Sequence, residues 1–376
     1  MKIIKINLYK FNTPFKYAFH SSHFHRLRAD SIVVEVQFNN GISGYGESAP
    51  RPYVTGETSS SVLETIKDNF AKILFHHEIN SHEDVEKTLD ALEKECFDRN
   101  HTMYNSALGA IDIALLDSLG KFQGIPVQNF LGSINSNSIF PSISIPFLQS
   151  EVIKELCHKL KEIEPTSLKI LVGKIERENV ARVKLIRSLF GDQMELRIEA
   201  NGKWNLKQAI SNIEKLQRFN ISGVEQPLAK NDVEGMQKIR EITGISVIVD
   251  ESMCSLADAK NLIEMGACDI INIKISKCGG LLRSKQIRDY ALSRNVRCQV
   301  GAHVGETAIL GKAGLHFAMT TKNLFCFEGY SQLLFENSWK DYLNTQSAHS
   351  FTNRGLGTEL TDITLKPICS IESSHV

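Results

Sequence analysis

The sequence predicts an α/β fold in which an α+β domain precedes a closed parallel β/α barrel, and three observations support it. From residue 140 onward, eight short apolar runs alternate with amphipathic helical patterns, the order expected of a barrel. Before residue 50 the polarity alternates with period two, as in antiparallel strands. Three neighbouring apolar runs end in an acid, at Glu199, Glu225 and Asp250, with gaps of 26 and 25 residues.

The composition excludes several classes of protein. At 376 residues the chain is long for one core, so a barrel with a second domain is expected. The 43 basic residues balance the 43 acidic ones, and no basic stripe indicates nucleic acid. The eight cysteines form no C-x-x-C pair, so no zinc or disulfide framework is indicated. Without an apolar leader or a run near the ~20 residues of a membrane span, we expect a cytoplasmic protein with no membrane partner.

The first 130 residues contain strands, two polar loops and helices. The turn Asn39-Asn40-Gly41 predicts a hairpin between its flanking strands. The loop 15–28 carries His20, His23 and His25, and we favour a lid over a metal site because no cysteine or acid ligand lies nearby. A second loop spans 49–57. The predicted strands are 1–10, 31–38 and 42–47, and the predicted helices are 59–74, 81–96 and 105–121.

The barrel pattern begins after residue 130. No G-x-G-x-x-G motif follows its first strand, which disfavours a dinucleotide fold, and the pair Gly279-Gly280 reads as a tight turn. The predicted strands are 140–145, 167–172, 195–200, 223–225, 246–249, 270–273, 297–301 and 324–328. Predicted helices between them include 151–163, 178–190, 206–219 and 232–242.

The three strand-end acids predict a metal site. Parallel strands place their carboxyl ends at one edge of a barrel, so these carboxylates converge, and their mutual repulsion requires a cation. Carboxylate oxygens are ligands for hard divalent ions. We therefore expect Mg²⁺ at Glu199, Glu225 and Asp250, with Mn²⁺ as an alternative ion.

A series of short motifs gives the chain a family resemblance that runs nearly from end to end. In this order the set resembles the enolase superfamily, in particular its muconate-lactonising enzyme subgroup, which includes dipeptide epimerases. The motifs are Gly44-Tyr-Gly-Glu47, Gly56-Glu-Thr58 and residues 106–121 in the first domain, and Glu199-Ala-Asn201, Glu225-Gln-Pro227, Asp250-Glu-Ser252 and residues 272–280 in the barrel.

The resemblance implies a modified TIM barrel, (β/α)7β, with a capping domain built from both termini. Its parts are the cap at 1–130, the barrel at 131–328 and a C-terminal segment at 329–376 that completes the cap. It also implies that Mg²⁺ binds a substrate carboxylate while a lysine removes the α-proton to give an enediolate. Charge developing on the two oxygens needs the metal, and the base must be a lysine neutral near pH 7.

The resemblance places lysines on both faces of the substrate, and here one is missing. Lys274 matches the lysine that ends the sixth barrel strand. On the second strand Lys169 matches the first lysine of a Lys-x-Lys motif, but Leu171 occupies the second position, and leucine cannot carry a proton. Lys174 follows out of register, and we favour a solvated loop lysine over a return to the site.

Other candidate site residues lie at strand ends and in the second loop. The first ligand, Glu199, stands where the family usually has aspartate, and it could pair with Lys169 instead of a metal. Glu251 is expected behind the ligands, hydrogen-bonded to a site lysine, whereas Lys277 is expected in a loop or at a helix start. His303 either lines the pocket, acts as an acid or is structural. With it, the expected substrate-binding residues are Leu171, Glu328, Asn201 and Tyr53.

Three functional hypotheses follow for a small-molecule carboxylate substrate. Because Leu171 leaves one competent lysine, we favour one-face chemistry, either cycloisomerisation (lactonisation) or elimination, with Lys274 as base and Lys169 as an electrostatic group. Epimerisation or racemisation of a dipeptide or amino acid is the alternative, although Glu328 stands where dipeptide epimerases carry Asp-x-Asp. A metal-retaining pseudoenzyme that binds a ligand or partner is the third. The family resemblance also favours a homo-oligomer.

Overall fold

The fold joins an antiparallel cap sheet to a parallel barrel sheet. The computed structural model describes residues 1–20, 25–98, 104–136, 139, 142–162, 164–329, 354–357 and 366–373. Within these ranges, no helix combines the length and apolar character needed to cross a membrane. The domain boundaries stay a prediction.

The cap sheet has four strands in the order β13-β1-β4-β5. The predicted hairpin is confirmed, because β4 and β5 pair antiparallel around a turn in which Gly41 has φ +82°. The C-terminal strand β13 lies beside β1, with Lys5 opposite Glu372. The strands that precede the barrel, and the last one, are β1 (Ile3–Phe11), β2 (Pro14–His20), β3 (His25–Arg28), β4 (Ser31–Phe38), β5 (Ser43–Ser48) and β13 (Cys369–Glu372).

The segment expected as a loop at 15–28 is largely a separate two-stranded sheet, and the loop prediction is wrong there. Strands β2 and β3 pair antiparallel, with Pro14 opposite Arg28. Cross-strand pairing overrides the polar composition of the segment. His23 lies outside the described residues, as do the side chains of His20 and His25.

The cap helices pack on one face of this sheet. The first predicted helix is confirmed as one helical run that contains a π-helical turn, Thr65–Phe70. Its start is a capping box in which Thr58 and Ser61 satisfy each other's backbone N–H groups. The cap helices are α1 (Ser59–Glu64), α2 (Ala71–His76), α3 (His82–Asp98) and α4 (Asn105–Gln123), followed by a 3-10 turn at Val127–Phe130.

The central helix of the cap, α4, is buried from Ser106 to Gly120 and packs directly on β5. Two glycines of β5 allow this approach. A Cβ added at Gly46 would lie 1.8 Å from the carbonyl oxygen of Ala110, and one at Gly44 would lie 2.0 Å from that of Ala114. The strand and helix backbones are therefore in contact, with no room for a side chain.

The barrel sheet contains seven parallel strands in the order β12-β11-β10-β9-β8-β7-β6. Its strands are β6 (Ser142–Ile145), β7 (Ser167–Leu171), β8 (Glu195–Glu199), β9 (Ile221–Glu225), β10 (Val247–Val249), β11 (Ile270–Ile273) and β12 (Arg297–Val300). Its helices are α5 (Ser150–Lys161), α6 (Glu176–Phe190), α7 (Leu206–Gln217), α8 (Val233–Thr243), α9 (Leu256–Glu264), α10 (Leu281–Ser293) and α11 (Ala308–Met319).

The extended segment 325–328 closes the barrel between its first and last strands. On one side the Ser142 N–H donates to the Phe327 carbonyl at 2.8 Å. On the other, the Val300 N–H donates to the Cys326 carbonyl at 3.0 Å, and the Glu328 N–H donates to the Val300 carbonyl at 2.8 Å. These contacts confirm the predicted (β/α)7β barrel with its cap.

A buried acid of the cap, Glu47, forms hydrogen bonds with the barrel. Glu47, fully buried, accepts hydrogen bonds from the Thr307 N–H at 2.9 Å, the Thr307 hydroxyl at 2.6 Å and the Leu310 N–H at 3.2 Å. It thereby satisfies donors at the start of α11. The Ala49 N–H donates to the Ser276 hydroxyl at 2.9 Å, which holds the second loop over the barrel mouth.

We expect Gly46→Ala to lower the free energy of unfolding by about 3 kcal/mol, because its methyl group would overlap the α4 backbone. Urea titration followed by circular dichroism measures the change. Gly41→Ala is the matched control, since its Cβ meets nothing within 4 Å and costs only about 1 kcal/mol for the positive φ. Equal losses in the two variants would contradict the close approach.

Candidate active site

The carboxyl ends of five neighbouring barrel strands bring buried charges together. Strand alternation points Lys169 and Leu171 to the same side of β7, and the parallel register sets Leu171 opposite Glu199 and Glu199 opposite Glu225. Asp250 follows β10, and Lys274 follows β11. These side chains, together with Glu251, are buried, with exposed fractions between 0 and 8%.

Lys169 is held by three carboxylates. Its Nζ lies 2.7 Å from Glu199 Oε2, 3.2 Å from Glu225 Oε1 and 3.0 Å from Glu328 Oε2. Burial opposes the charged form of Lys169, but attraction by the carboxylates outweighs it and raises the lysine pKa well above its usual value. The contact between Glu199 and Lys169 is the alternative pairing that the sequence left open.

Lys274 and Lys277 both bind Asp250. Lys274 Nζ lies 2.6 Å from Asp250 Oδ2, and Lys277 Nζ lies 2.8 Å from Oδ1. Lys277 also donates to the carbonyl oxygens of Asp250 and Asn272, at 2.7 and 2.8 Å. Lys277 lies in the turn before α10, in agreement with the expected loop or helix start, and its buried ammonium supports Asp250.

The charges around Lys274 determine its protonation. Burial favours the neutral amine, but Asp250 outweighs burial and raises the pKa of Lys274. Burial raises the pKa of Asp250, but attraction by Lys274 and Lys277 outweighs burial and lowers that pKa. With Asp250 as its partner Lys274 is held as an ammonium, so a base at this position requires the Asp250 carboxylate to bind another cation.

Three acids form a group suited to a divalent cation. Oxygens of Glu199, Asp250 and Glu251 lie within 4.8 Å of one another. Burial, and then repulsion from neighbouring carboxylates, raises the pKa of Glu199 to about 8 and that of Glu251 to about 7. Among the described residues, buried Glu251 Oε2 has no hydrogen-bond partner, while the Asn201 amide donates to Glu199 Oε1 and, at 3.3 Å, to Glu251 Oε1. Crowded, undercompensated carboxylates fit a hard ion such as Mg²⁺.

This group differs from the expected ligand set at one position. Glu225, expected as the second ligand, instead accepts hydrogen bonds from Lys169 at 3.2 Å, from the Asn272 amide at 2.7 Å and from the Gln299 amide at 3.0 Å. Glu251, expected behind the ligands and bonded to a lysine, lies in the group and bonds Asn201. The membership of the ligand set stays a prediction.

The side of the site at β7 has no proton carrier where the family motif has its second lysine. Leu171 is 2% exposed, with its side chain on the same face of the strand as Lys169. Lys174 is exposed, in agreement with a solvated loop lysine.

Glu328 is bound by two cations. Its Oε2 contacts Lys169, and its Oε1 contacts the guanidinium of Arg197, which is fully buried on β8. Burial raises the pKa of Glu328, but attraction by Lys169 and Arg197 outweighs burial and lowers it. Arg197 was not among the residues predicted from the sequence, although it lies two residues before Glu199 and therefore on the same face of β8.

His303 and Tyr53 lie where the second cap loop meets the barrel. His303 Nδ1 lies 2.9 Å from the Ala49 carbonyl oxygen, and burial, Arg51 and Lys274 lower its pKa well below the usual range. A neutral imidazole disfavours His303 as a cationic acid, and its buried Nε2 has no hydrogen-bond partner in the part of the chain that the structure describes. Tyr53 interacts electrostatically with Lys274 and Glu251, and burial raises its pKa to about 12.

The barrel and its strand-end lysines and acids define a class of enzyme that transfers protons beside a group of acids suited to a divalent cation. Similarity to a known protein family assigns the chain to this class of enzyme. Residues 3–132 match the mandelate racemase / muconate lactonizing enzyme N-terminal domain, and residues 152–362 match the enolase C-terminal domain-like family. The chain belongs to this family of the enolase superfamily, and the resemblance described above is confirmed.

Relatives with assigned activities are isomerases. The N-succinyl-L-Arg/Lys racemase of Bacillus cereus is 30% identical, with 98% of each chain covered. The hydrophobic dipeptide epimerase of Enterococcus faecalis is 32% identical over 79% of this chain and 81% of the relative. A crystal structure of the Enterococcus faecalis V583 dipeptide epimerase, complexed with Mg and the dipeptide L-Leu-L-Tyr, superposes with a TM-score of 0.85 at 28% identity, covering 95% of this chain and 99% of that one. These relatives support an enzyme of the isomerase type that uses proton abstraction.

In metal-free protein, we expect Glu251 to make stability depend on pH. The folded state holds its proton more tightly than the unfolded chain, so its stabilising contribution is complete below about pH 4.5 and is lost as the pH rises through about 7. The pKa of Glu251 rises from 4.5 to about 7 on folding, and at about 1.4 kcal/mol per pKa unit this makes the loss of stability about 3 kcal/mol. Urea unfolding in EDTA at pH 5 and pH 8 should therefore show Glu251→Gln gaining stability relative to wild type at the higher pH.

The exposed Glu86→Gln serves as the control for this comparison. Its stability difference from wild type should be the same at both pH values. An equally constant difference for Glu251→Gln would contradict the raised pKa of Glu251.

Proposed function

We propose that this chain catalyses Mg²⁺-dependent abstraction of the α-proton of a small carboxylate, with Lys274 as the proton-transferring group. The observation that carries the proposal is the contact of Lys274 Nζ with Asp250 Oδ2 at 2.6 Å, beside a buried group of acids suited to the ion. A lysine and a metal site at neighbouring strand ends match the acid–base pattern of such enzymes.

The named relatives favour epimerisation or racemisation over cycloisomerisation as the reaction. The Bacillus cereus relative is named for N-succinyl-L-arginine and N-succinyl-L-lysine, and the Enterococcus faecalis relative for hydrophobic dipeptides. We therefore propose an N-acylated amino acid or a dipeptide as substrate. Glu328 is already bound by Arg197 and Lys169, so it is poorly placed to hold a free substrate amino group.

The chain supplies the ion site and the proton carriers. Asp250, Glu199 and either Glu251 or Glu225 would hold the ion, which would supply positive charge for the substrate carboxylate as the α-carbon loses its proton. With the Asp250 carboxylate shared with an ion, the Lys274 ammonium would be less stabilised and could give up one proton to solvent, and the neutral amine could then take the α-proton at its Nζ. In a reaction confined to one face, Lys169 keeps its proton and contributes positive charge from the opposite side.

Leu171 favours a second candidate, a reaction confined to one face of the substrate. Inversion requires a proton carrier on each face, and leucine supplies none. An epimerase built on this site must deliver the second proton from another group on the β7 side, and Lys169 is the ammonium group two residues earlier on that strand face. Cycloisomerisation or elimination requires only Lys274.

We expect wild-type protein with Mg²⁺ to exchange the α-hydrogen of such a substrate for deuterium in D₂O, and Lys274→Ala to lose at least about 1000-fold of the rate because the proton carrier is gone. NMR measures the exchange. The exposed lysine variant Lys174→Ala should keep the wild-type rate. Exchange that persists in Lys274→Ala would defeat the assignment.

The configuration of the exchanged product separates the two candidates. Inversion supports an epimerase or racemase, whereas exchange with retention supports one-face chemistry. In the latter case, Leu171→Lys should convert retention into partial inversion by restoring a carrier on the second face. A wild-type protein that binds substrate but exchanges only after this substitution would instead be a binding protein that has lost its chemistry.

Calorimetric titration tests the ion site. We expect Asp250→Asn to weaken Mg²⁺ binding at least about tenfold, because a charged ligand is replaced by a neutral one. The exposed Asp192→Asn should bind as wild type does. Comparing Glu225→Gln with Glu251→Gln identifies the third ligand, since only the ligand's loss should weaken binding to the same extent. Wild-type affinity in Asp250→Asn would remove this site from the proposal.

A further inference from the structure

The first turn of α4 lies where the cap meets two barrel loops that carry site residues. The side-chain nitrogen Nδ2 of Asn105 donates to the Lys277 carbonyl oxygen at 2.8 Å and to the Cys254 carbonyl oxygen at 3.0 Å. Cys254 lies in the loop that follows β10 and carries Asp250, and Lys277 lies in the turn that follows β11 and carries Lys274. One amide group of the cap therefore joins the two loops to each other.

Lys277 continues this connection to Asp250. The carbonyl oxygen of Lys277 is bound by Asn105, while its ammonium group donates to the Asp250 carbonyl oxygen at 2.7 Å and to Asp250 Oδ1 at 2.8 Å. Lys277 is therefore fixed at its backbone by the cap and at its side chain by the loop after β10. Groups that orient a metal ligand in this way strengthen metal binding without touching the ion.

The helix end that carries Asn105 is itself held in place. Glu57, fully buried in the second cap loop, accepts hydrogen bonds from the Ser106 N–H at 2.9 Å and the Ala107 N–H at 3.1 Å. The Ser106 hydroxyl lies 2.7 Å from the hydroxyl of Ser276, in the turn after β11. The Asn105 amide therefore projects from a fixed point that the second cap loop shares with the barrel.

The two carbonyl oxygens near Asn105 restrict the chemistry of this position. Both oxygens can only accept hydrogen bonds, so the amide nitrogen must face them, and its two N–H groups supply one donor to each. An apolar side chain of similar volume, such as leucine, has no donor at all. The contribution of Asn105 can therefore be separated by substitution into a hydrogen-bonding part and a packing part.

We propose that Asn105 is a positioning residue for the ion site. Its amide fixes the loops after β10 and β11 relative to each other, so that Asp250 is presented to a divalent cation with Lys274 beside it. Asn105 acts through Lys277 and not on the ion or the substrate. The inference rests on the proposed function, since it concerns the same ion site, and it makes the first turn of α4 part of the structure that builds this site.

Calorimetric titration with Mg²⁺ tests this role. We expect Asn105→Leu and Asn105→Ala both to weaken Mg²⁺ binding at least about tenfold, the effect typical of losing a group that orients a metal ligand. The milder Asn105→Gln keeps the amide and should lose less. If Asn105 only fills space, Asn105→Leu should bind as wild type does while Asn105→Ala binds more weakly, and that result would overturn the inference.

Two controls separate positioning from a general loss of stability. Val85→Ala removes buried methyl groups from α3 and should lower the stability of the cap while leaving Mg²⁺ affinity as in wild type. The exposed Asn129→Leu should also bind Mg²⁺ as wild type does. The titration stoichiometry gives the fraction of folded protein, so a partly unfolded variant still yields a Kd. Weakening in Val85→Ala equal to that in Asn105→Leu would overturn the inference.

The same titration separates failure of the inference from failure of the proposed function, because it requires no turnover. Wild-type affinity in Asn105→Leu together with weakened binding in Asp250→Asn overturns the inference alone. Weakened binding in Asn105→Leu supports the inference even if no substrate exchanges its α-hydrogen, in which case only the proposed reaction fails. Wild-type affinity in both variants removes the ion site and overturns both.

Discussion

The balance of buried charge at the strand ends is the constraint on which the rest of the site depends. Acids outnumber cations there, so full ionisation leaves net negative charge in a region shielded from water. Five acids and four cations leave a net charge of −1, which a divalent ion would change to +1 and a bound substrate carboxylate would then neutralise. The acids are Glu199, Glu225, Asp250, Glu251 and Glu328, and the cations are Lys169, Arg197, Lys274 and Lys277.

The cap contributes to this balance as well as covering the site. Glu47 ties the end of β5 to the start of α11, and the loop that follows carries Arg51 and Tyr53 to the barrel mouth. The glycines of β5 allow α4 to pack against this strand without intervening side chains. Close backbone packing in the cap therefore fixes the position of groups that act on the barrel side.

Local patterns in the sequence were sufficient for the barrel and for the position of Lys274. Strand alternation and the spacing of the acids depend on neighbouring residues, so they predict which side chains reach the mouth. These local patterns do not predict which side chains bind one another in the folded protein. The hydrogen bonds that engage Glu225, and the burial of Lys277 against Asp250, arise from residues far along the chain. The pairing of β2 with β3 was missed because its polar residues resemble a loop.

The cap sheet also links the two ends of the polypeptide. Strand β13 pairs with β1, so that Glu372 lies opposite Lys5. Until residues 369–372 have been synthesised, the backbone groups on this edge of β1 cannot pair with β13. A nascent chain or a truncated variant that stops before residue 369 would therefore expose this edge to pairing with other chains.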